Sequence, residues 1–133
     1  LLLVAIAVLH VYWGLGGVWP GHDPESCARA VTGFRRIDRM PPPAACFAVA
    51  VALLAAASLA LVLGRPPTTA LMRLAGMGAA LVFLARGIAG FTPAWRRLTP
   101  ELPFARNDRR FFSPLCLAIG TGFAILTLRG ITA

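Results

Sequence analysis

The sequence predicts an all-α fold, a four-helix transmembrane bundle. Of its 133 residues, 58% are hydrophobic, and the mean hydropathy is +0.74. Only 14% are charged, whereas a soluble domain carries about 25%. The apolar residues gather in four runs separated by short Pro- and Gly-containing segments, so we expect one domain over residues 1–133. This composition excludes an ordinary soluble enzyme.

The four runs predict transmembrane helices over residues of about 1–19, 44–63, 70–91 and 112–128. At 1.5 Å per residue, the first would be about 28 Å long, close to the hydrocarbon thickness of about 30 Å. It ends in aromatic residues and Trp19-Pro20 instead of a small-x-small cleavage pattern, so we expect a retained helix and no signal peptide. Because the chain starts with Leu and not Met, we expect further residues upstream.

Prolines and small residues define the second helix. Pro41-Pro42-Pro43 stops the preceding loop and starts the helix, since Pro is tolerated in a first turn. Alanine recurs every fourth residue, which favours close approach of another helix but also fits a generally Ala-rich segment; these alanines are Ala44, Ala48, Ala52, Ala56 and Ala60. Gly64-Arg65-Pro66-Pro67 predicts a tight turn after it.

The third and fourth helices are bounded by similar proline-containing signals. Thr92-Pro93 closes the third, and Ser113-Pro114 opens the fourth, in which Ala118 and Gly122 form another pair of small residues four apart. Loop one, about 21–42, is too polar to span a membrane, although residues 31–37 favour a short interfacial helix. Loop three is rich in Pro and Arg.

The net charge of +8 comes from thirteen cations that are all arginine. Loops one and three carry nine of them, and guanidinium groups at helix ends bind lipid phosphate and set topology. We therefore expect membrane lipid as a partner and no nucleic acid. The positive-inside rule places loops one and three in the cytoplasm of a multi-pass protein. The all-Arg, Ala-rich bias is typical of high-GC bacteria, which favours the bacterial inner membrane.

Two ionisable residues lie inside the predicted spans. His10, Trp13, Gly14 and Gly17 are spaced i, i+3, i+4, i+7 and so share one helical face. Phe83, Arg86, Gly87 and Gly90 repeat this spacing in the third helix, and Arg86 lies about 7 Å from the loop-three boundary. We expect His10 near the middle of the bilayer.

Charge in lipid is expensive, so such residues normally face protein and have a partner. Asp108, just before helix four on the same side, is the expected partner of Arg86. His10 either forms a hydrogen bond to a neighbouring helix as a neutral imidazole, or it binds a ligand or accepts and donates a proton. Arg86 either snorkels to headgroups or forms an internal ion pair or anion contact.

No motif for catalysis or metal binding is present in the sequence. Cys27, Cys46 and Cys116 gather towards the loop-one and loop-three side, but none forms the C-x-x-C pair that thiol redox enzymes use. A structural disulfide is expected only if that side is periplasmic. The second histidine, His22, lies in a loop. We therefore predict no catalytic residue, no metal and no cofactor.

Three segments together resemble a family of short, four-span bacterial membrane proteins catalogued as a domain of unknown function. They are His10–Gly17, read as His-x-Tyr-Trp-x-x-Gly-Gly, the stretch around Arg86 in helix three, and Phe104–Leu117, read as Phe-x-x-x-Asp-x-x-x-Phe-Ser-Pro-Leu-Cys. The resemblance implies the four-span fold and no activity. The resemblance implies that typical members have Tyr at the position of Phe112. A mechanism that needs a phenolic hydroxyl at this position is therefore in doubt for this chain.

The leading functional hypothesis is an accessory membrane protein that binds a small amphipathic ligand, lipid or quinone-like, between helices one, three and four. The expected ligand-binding residues are His10, Tyr12, Trp13, Gly14, Gly17, Arg86, Asp108 and Ser113. A first alternative is a membrane enzyme that acts on a lipid-like substrate with His10 as the acid–base group. A second is a small transporter or a structural subunit that forms a homo-oligomer through its Ala and Gly stripes. The sequence leaves open whether the protein is an enzyme.

Overall fold

The computed structural model describes residues 1–132, with side chains through Arg129, and these residues form helices, turns and loops with no strand. The helices are α1 (Leu2–Gly14), α2 (Pro24–Val31), α3 (Pro43–Leu63), α4 (Ala70–Ala89), α5 (Pro93–Leu98), α6 (Phe104–Asn107), a π-helical turn (Asp108–Phe112) and α7 (Ser113–Thr132). The predicted all-α class is confirmed.

Three helical stretches are long and apolar enough to cross a membrane. They are Pro43–Leu63, Ala70–Ala89 and Phe104–Arg129, the last of which runs through α6, the π-turn and α7 without a break. Within their most apolar windows only 22%, 17% and 22% of the residues are buried by protein. Apolar side chains that protein leaves uncovered need an apolar surrounding, and a bilayer supplies it. The protein is therefore a membrane protein.

The long helices pack in two pairs. α1 lies mainly against α3, whereas α4 lies mainly against α7, and α3 contacts both members of the second pair. Phe83 of α4 stacks on Phe123 of α7 with ring centroids 6.0 Å apart, and Phe123 is buried. The rest of this buried apolar cluster comes from α1, α3 and α4: Leu3, Ala7, Ala50, Leu53, Leu63 and Ala80.

Two glycines bring α4 and α7 close together. A Cβ placed on Gly87 would lie 2.7 Å from Cγ of Leu117, and one placed on Gly120 would lie 2.7 Å from Cγ of Leu84. Each helix thus inserts a leucine against bare backbone of the other. The arrangement is reciprocal, and it is the close approach that small residues permit in lipid.

The small-residue stripes expected from the sequence coincide only in part with the packed faces. Ala118 is exposed, Gly122 is partly buried, and nothing lies within 4 Å of a Cβ placed on Gly122. In α3, Ala44, Ala48 and Ala52 are exposed, whereas Ala56 and Ala60 of the same stripe pack against the core together with the buried Ala50. Four-residue spacing alone does not identify the contact face, because an apolar helix in lipid can be small-sided on more than one face. A homo-oligomer stays a prediction.

α1 ends five residues before the predicted end at Trp19. Gly16, with φ of +93°, follows the C-cap residue, its N–H bonds the Trp13 carbonyl at 3.0 Å, and the Gly17 N–H bonds the Tyr12 carbonyl at 2.9 Å. These two bonds form a Schellman motif, which glycine permits because it tolerates the left-handed conformation. The prediction missed this signal and relied on Pro20. Gly17 consequently lies outside the helix and does not share the face of His10.

Loop one contains a helix, α2, upstream of the predicted residues 31–37. Asp23 accepts a bond from the Ser26 N–H at 2.7 Å, and the Ser26 side chain bonds back to the Asp23 N–H. This capping box, with Pro24 in the first turn, fixes the start of α2. The Ser26 N–H also holds the pKa of Asp23 below its ordinary value of 3.8. The sequence-based expectation placed this helix too late because it overlooked the Asp-Pro-x-Ser cap.

Loops one and three are joined to each other at one end of the helices. The Arg35 N–H donates to the Leu98 carbonyl, and the Glu101 N–H donates to the Gly33 carbonyl, both at 3.1 Å. The Arg36 N–H donates to the Glu101 side chain at 3.1 Å. Both loops thus lie on one side of the protein, and the assignment of that side to the cytoplasm stays a prediction.

A pair of Gly→Ala variants tests the α4–α7 interface. Gly120→Ala places a methyl group 2.9 Å from the Leu84 backbone N, so we expect a loss of about 1–3 kcal/mol of stability. Gly122→Ala, two residues along the same helix, enters open space and should be neutral or stabilising by up to about 1 kcal/mol, since Ala favours the helix. Thermal unfolding in mild detergent measures both. Equal stability of the two variants would contradict the assigned interface.

Candidate functional site: a buried carboxylate cluster and an apolar cleft

The Asp108 carboxylate is fully buried and accepts four side-chain hydrogen bonds. Its Oδ1 accepts from Nη2 of Arg86 at 2.7 Å and from Oγ of Ser113 at 3.2 Å. Its Oδ2 accepts from Nε1 of Trp95 at 2.9 Å and from Nη2 of Arg96. Both oxygens are therefore saturated, which is the condition under which a carboxylate can be kept away from water. These five residues are called the Asp108 cluster below.

Three separate elements supply the donors of the Asp108 cluster. Arg86 comes from the last turn of α4. Thr92 caps α5, its side chain accepting from the Trp95 N–H at 3.3 Å, and α5 then presents Trp95 and Arg96. Proline at the first position of α5 is tolerated because its missing N–H would have no partner there.

The π-helical turn brings Ser113 onto Asp108. The Ser113 N–H bonds the Asp108 carbonyl, an i→i+5 bond in place of the α-helical i→i+4 bond. In an α-helix, residues five apart point about 140° away from each other. The wider π-turn rotates Ser113 back towards Asp108, so that its hydroxyl reaches the carboxylate. Such bulges inside α-helices are frequent at functional sites.

The positive charges of the Asp108 cluster are held in place. The Arg86 guanidinium carbon lies 4.6 Å from the centre of the Trp95 ring, within cation–π range. Arg96 is fixed at its other Nη by the Ala105 carbonyl. The Arg86 and Arg96 side chains are 30% and 25% exposed, whereas Asp108 is 0% exposed. Two guanidinium groups thus surround one carboxylate, and each reaches the surface.

Glycine is required where α4 passes the cluster. A Cβ on Gly90 would lie 1.7 Å from Oγ of Ser113 and 3.2 Å from Oδ2 of Asp108.

The Arg86–Asp108 ion pair that the sequence predicts is present. The sequence reasoning missed Trp95 and Arg96, although the Thr92-Pro93 helix start followed by Trp and Arg was a usable signal.

A separate apolar cleft of about 220 Å³ lies beside His10. Its walls come from the end of α1, the end of α2, the segment that leads into α3, and the first turns of α3: His10, Trp13, Val31, Thr32, Met40, Pro41, Ala45, Cys46 and Val49. Ala45 and Val49 are exposed, so the cleft opens on the side of α3 that protein does not cover. We call it the His10 cleft.

The His10 ring has a defined tautomer. Its Nδ1 lies 2.8 Å from the Ile6 carbonyl oxygen, so Nδ1 must carry the hydrogen. A neutral ring then has a lone pair on Nε2, on the far side from the helix backbone. The Trp13 ring meets the His10 ring edge-on at 5.0 Å and donates its own N–H to the Trp19 carbonyl at 2.7 Å. A neutral His10 ring therefore carries its hydrogen-bond acceptor at Nε2, and the His10 side chain lines the cleft.

His10 lies nearer the helix end than the sequence predicts. Since α1 ends at Gly14, His10 is about 6 Å from that end, and Arg86 is about 4.5 Å from the end of α4 at Ala89. His10 thus lies about one turn from the end of α1 and not at the middle of the helix predicted over residues 1–19. The physical reason is the early Schellman stop at Gly16.

The structure divides the expected ligand-binding residues between two places. Arg86, Asp108 and Ser113 meet in the Asp108 cluster, whereas His10 and Trp13 line the His10 cleft. Among the described residues, no wall of the cleft comes from α4, α5 or α7. The sequence predicted a single site between its first, third and fourth transmembrane helices, which are α1, α4 and α7 in the structure. The cleft lies instead between α1, α2 and α3.

The other expected site residues have packing roles. A Cβ on Gly14 would lie 3.0 Å from the Phe47 ring, and one on Gly17 would lie 2.3 Å from the Tyr12 ring. Tyr12 Oη accepts from the Trp19 N–H at 3.3 Å. Tyr12, Gly14 and Gly17 thus shape the end of α1 and do not line the cleft.

Thiol chemistry has little support in this geometry. The three cysteines are free, Cys27 and Cys46 are buried, and burial raises the pKa of the Cys27 thiol above its ordinary value of 9.0. A raised thiol pKa leaves little of the reactive thiolate at neutral pH. Within residues 1–132 no group of three or more His, Cys, Asp or Glu side chains is arranged to hold a metal ion.

Comparison with known protein families places the whole site within one family. A family model described as "Protein of unknown function (DUF3995)" matches residues 3–123. The chain belongs to the DUF3995 family. The match includes every residue of the Asp108 cluster and of the His10 cleft, and it confirms the resemblance seen in the sequence. No curated protein and no solved structure matches the chain.

The DUF3995 resemblance raised the question of the aromatic residue at position 112. Phe112 packs on Phe104, with ring centroids 5.8 Å apart, and its side chain is partly exposed. The four side-chain hydrogen bonds to the Asp108 carboxylate come from other residues, Arg86, Trp95, Arg96 and Ser113. In this chain the position therefore acts in apolar packing beside the π-turn.

Replacing Asp108 by Asn tests the cluster. The variant leaves Arg86 and Arg96 without a counter-charge, so we expect a loss of about 3–5 kcal/mol in the free energy of unfolding. The control is Asp38→Asn, since Asp38 is 75% exposed and pairs only with the exposed Arg39 at 3.5 Å; we expect no measurable change there. Thermal unfolding in mild detergent compares the two. A stable Asp108→Asn protein would show that the carboxylate does not hold the helices together.

Proposed function

We propose that the protein is a membrane-embedded binding protein for a small amphipathic ligand, lipid or quinone-like, held in the His10 cleft. The observation that carries the proposal is an apolar cleft with an imidazole acceptor on its wall, open to the lipid-facing side of α3. Ligand sites are typically apolar clefts with a few polar groups that fix orientation. The cleft has that composition.

The size and depth of the cleft favour a ligand that is only partly enclosed. Its volume of about 220 Å³ is below the range of about 300–1,000 Å³ of sites that enclose drug-sized ligands. It accommodates a polar head and the first part of an apolar tail, and the tail continues into the bilayer past Ala45 and Val49. His10, one turn from the helix end, lies at the level where the head of an amphipathic molecule meets water.

The tautomer of His10 specifies the chemistry of the head. Because Nε2 accepts, the matching ligand group is a donor, such as the hydroxyl of a quinol or of a lipid alcohol. Thr32, which bears the one hydroxyl group among the described wall residues, already donates it to the Ala28 carbonyl at 2.7 Å. Among the wall side chains, this leaves the imidazole as the main determinant of orientation.

The alternative of a membrane enzyme rests on the same imidazole. A neutral Nε2 that faces a bound hydroxyl is positioned to accept its proton, as a general base does. A turnover of a lipid-like substrate that falls at low pH and disappears in His10→Gln would favour this reading. Ligand retention without turnover favours the binding protein.

Mass spectrometry of co-purified small molecules tests the proposal with four variants. We expect a defined amphipathic species on the wild-type protein. Its amount should fall about tenfold in His10→Leu, which removes one hydrogen bond to the ligand, and more in Ala45→Phe, which fills the cleft. His22→Leu and Ala44→Phe are matched controls, because both residues are exposed and neither lines the cleft.

The same experiment has a clear contrary outcome. If all five proteins, matched for folding by circular dichroism, carry the same bulk phospholipids in the same proportions, the His10 cleft is not a binding site. A species lost equally from Ala44→Phe and Ala45→Phe would also overturn the assignment, since it would place the ligand outside the cleft.

A further inference from the structure

The Asp108 cluster carries more positive charge than its own carboxylate neutralises. Arg86 and Arg96 contribute two charges and Asp108 removes one. The other ion pairs between described residues, Glu25 with Arg29 and Asp38 with Arg39, lie in loop one and are exposed. Within the described cluster, one positive charge therefore remains uncompensated.

The cluster also has more hydrogen-bond donors than acceptors. Each guanidinium offers five N–H groups, of which Arg86 uses Nη2 on Asp108 and Nη1 on Ser113, and Arg96 uses Nη2 on Asp108 and Nη1 on Ala105. Nε of Arg96 is buried without a partner. Both carboxylate oxygens are already saturated, so a further acceptor has to come from outside the cluster.

The two guanidinium groups are fixed before any ligand arrives. Arg86 is clamped between Asp108 and the Trp95 ring, and Arg96 between Asp108 and the Ala105 carbonyl. A preorganised group loses little conformational entropy when it binds. Each of the two partly exposed guanidinium groups is therefore held in a set geometry, unlike that of a flexible surface arginine.

The surroundings of the cluster are those of a membrane interface. Arg86 lies one turn from the end of α4, and the apolar side chains of Phe91, Leu98 and Phe111, which flank the cluster in sequence, are exposed. Exposed apolar groups beside a fixed cationic pair match the boundary between acyl chains and headgroups. Phosphate is the anion present at that depth, and guanidinium binds it through paired N–H groups.

We propose that Arg86 and Arg96 form a binding site for the phosphate of an anionic phospholipid headgroup. Asp108 acts as a positioning residue that holds both guanidinium groups and leaves one net positive charge for the lipid. The site is distinct from the His10 cleft, which takes a hydrogen-bond donor and shares no wall residue with the cluster.

The test compares lipids on the intact protein by native mass spectrometry from mild detergent. The probes are phosphatidylglycerol, diacylglycerol with the same acyl chains, and inorganic phosphate. We expect wild type to retain phosphatidylglycerol at least fivefold more than diacylglycerol, in line with one basic residue near a membrane surface. Inorganic phosphate at millimolar concentration should not displace the lipid; displacement would identify free phosphate as the ligand and overturn the lipid assignment.

Two adjacent arginines provide the matched variants. Arg96→Gln removes the excess charge but keeps an amide donor for Asp108, so we expect phosphatidylglycerol retention to fall about fivefold towards that of diacylglycerol. Arg97→Gln changes the same charge on the next residue of α5, where the side chain is exposed, and should retain the wild-type preference. Equal loss in both variants would show general electrostatic attraction and overturn the site.

The wild-type comparison stands without any variant. Equal retention of phosphatidylglycerol and diacylglycerol by wild type would contradict the proposal even if Arg96→Gln failed to fold. The result is also separable from the His10 cleft: loss of the phospholipid in Arg96→Gln with unchanged retention of the cleft ligand is the expected pattern.

Discussion

The structure depends most on keeping the Asp108 carboxylate away from water at the end of a membrane-spanning helix. A carboxylate in such a place must be paired and fully hydrogen-bonded, or it becomes protonated. Four donors from α4, α5 and the start of α7 meet that requirement. The start of α5 after the Thr92 cap brings Trp95 and Arg96 to the carboxylate, and the π-turn brings Ser113 to it.

The close packing of α4 against α7 and the Asp108 cluster support each other. Gly87 and Gly120 let the two helices approach, and Gly90 lets α4 pass the Ser113 hydroxyl. Without that approach Arg86 would not reach Asp108, and without the ion pair two cationic side chains would stand against an apolar interface with no counter-charge. Helix association in lipid lacks the hydrophobic drive found in water. Tight glycine contacts and a charge-assisted network together supply the specificity instead.

The sequence predicted the features that depend on composition and on proline. The apolar runs predicted the all-α membrane class. The observed helix starts at Pro43 and Ala70 lie within about one residue of the predicted ones. Because charge in lipid is costly, the sequence also predicted the pairing of Arg86 with Asp108. It failed where the decision is local backbone geometry. The Schellman stop at Gly16 and the i→i+5 turn at Asp108 leave no hydrophobic period, because both flanks of each feature are apolar or helical. The prediction of which helix faces are packed failed for a related reason. In α3 the side chains that face lipid and those that face protein are both apolar, so hydrophobic periodicity does not distinguish the two faces.

The early end of α1 explains why a cleft exists beside His10. Had α1 continued to Trp19, its last turns would have packed along the segment that leads into α3, and Met40 and Pro41 would have had helix against them. Instead the chain turns back at Gly16, and the side chains of Trp13 and Tyr12 form hydrogen bonds with the Trp19 backbone. The end of α2 then forms one wall of the space that remains. One glycine thus shortens the helix, places His10 about one turn from the helix end and leaves room beside the His10 ring. A membrane anchor alone needs no histidine beside such a cleft, which supports the ligand-binding role proposed for it.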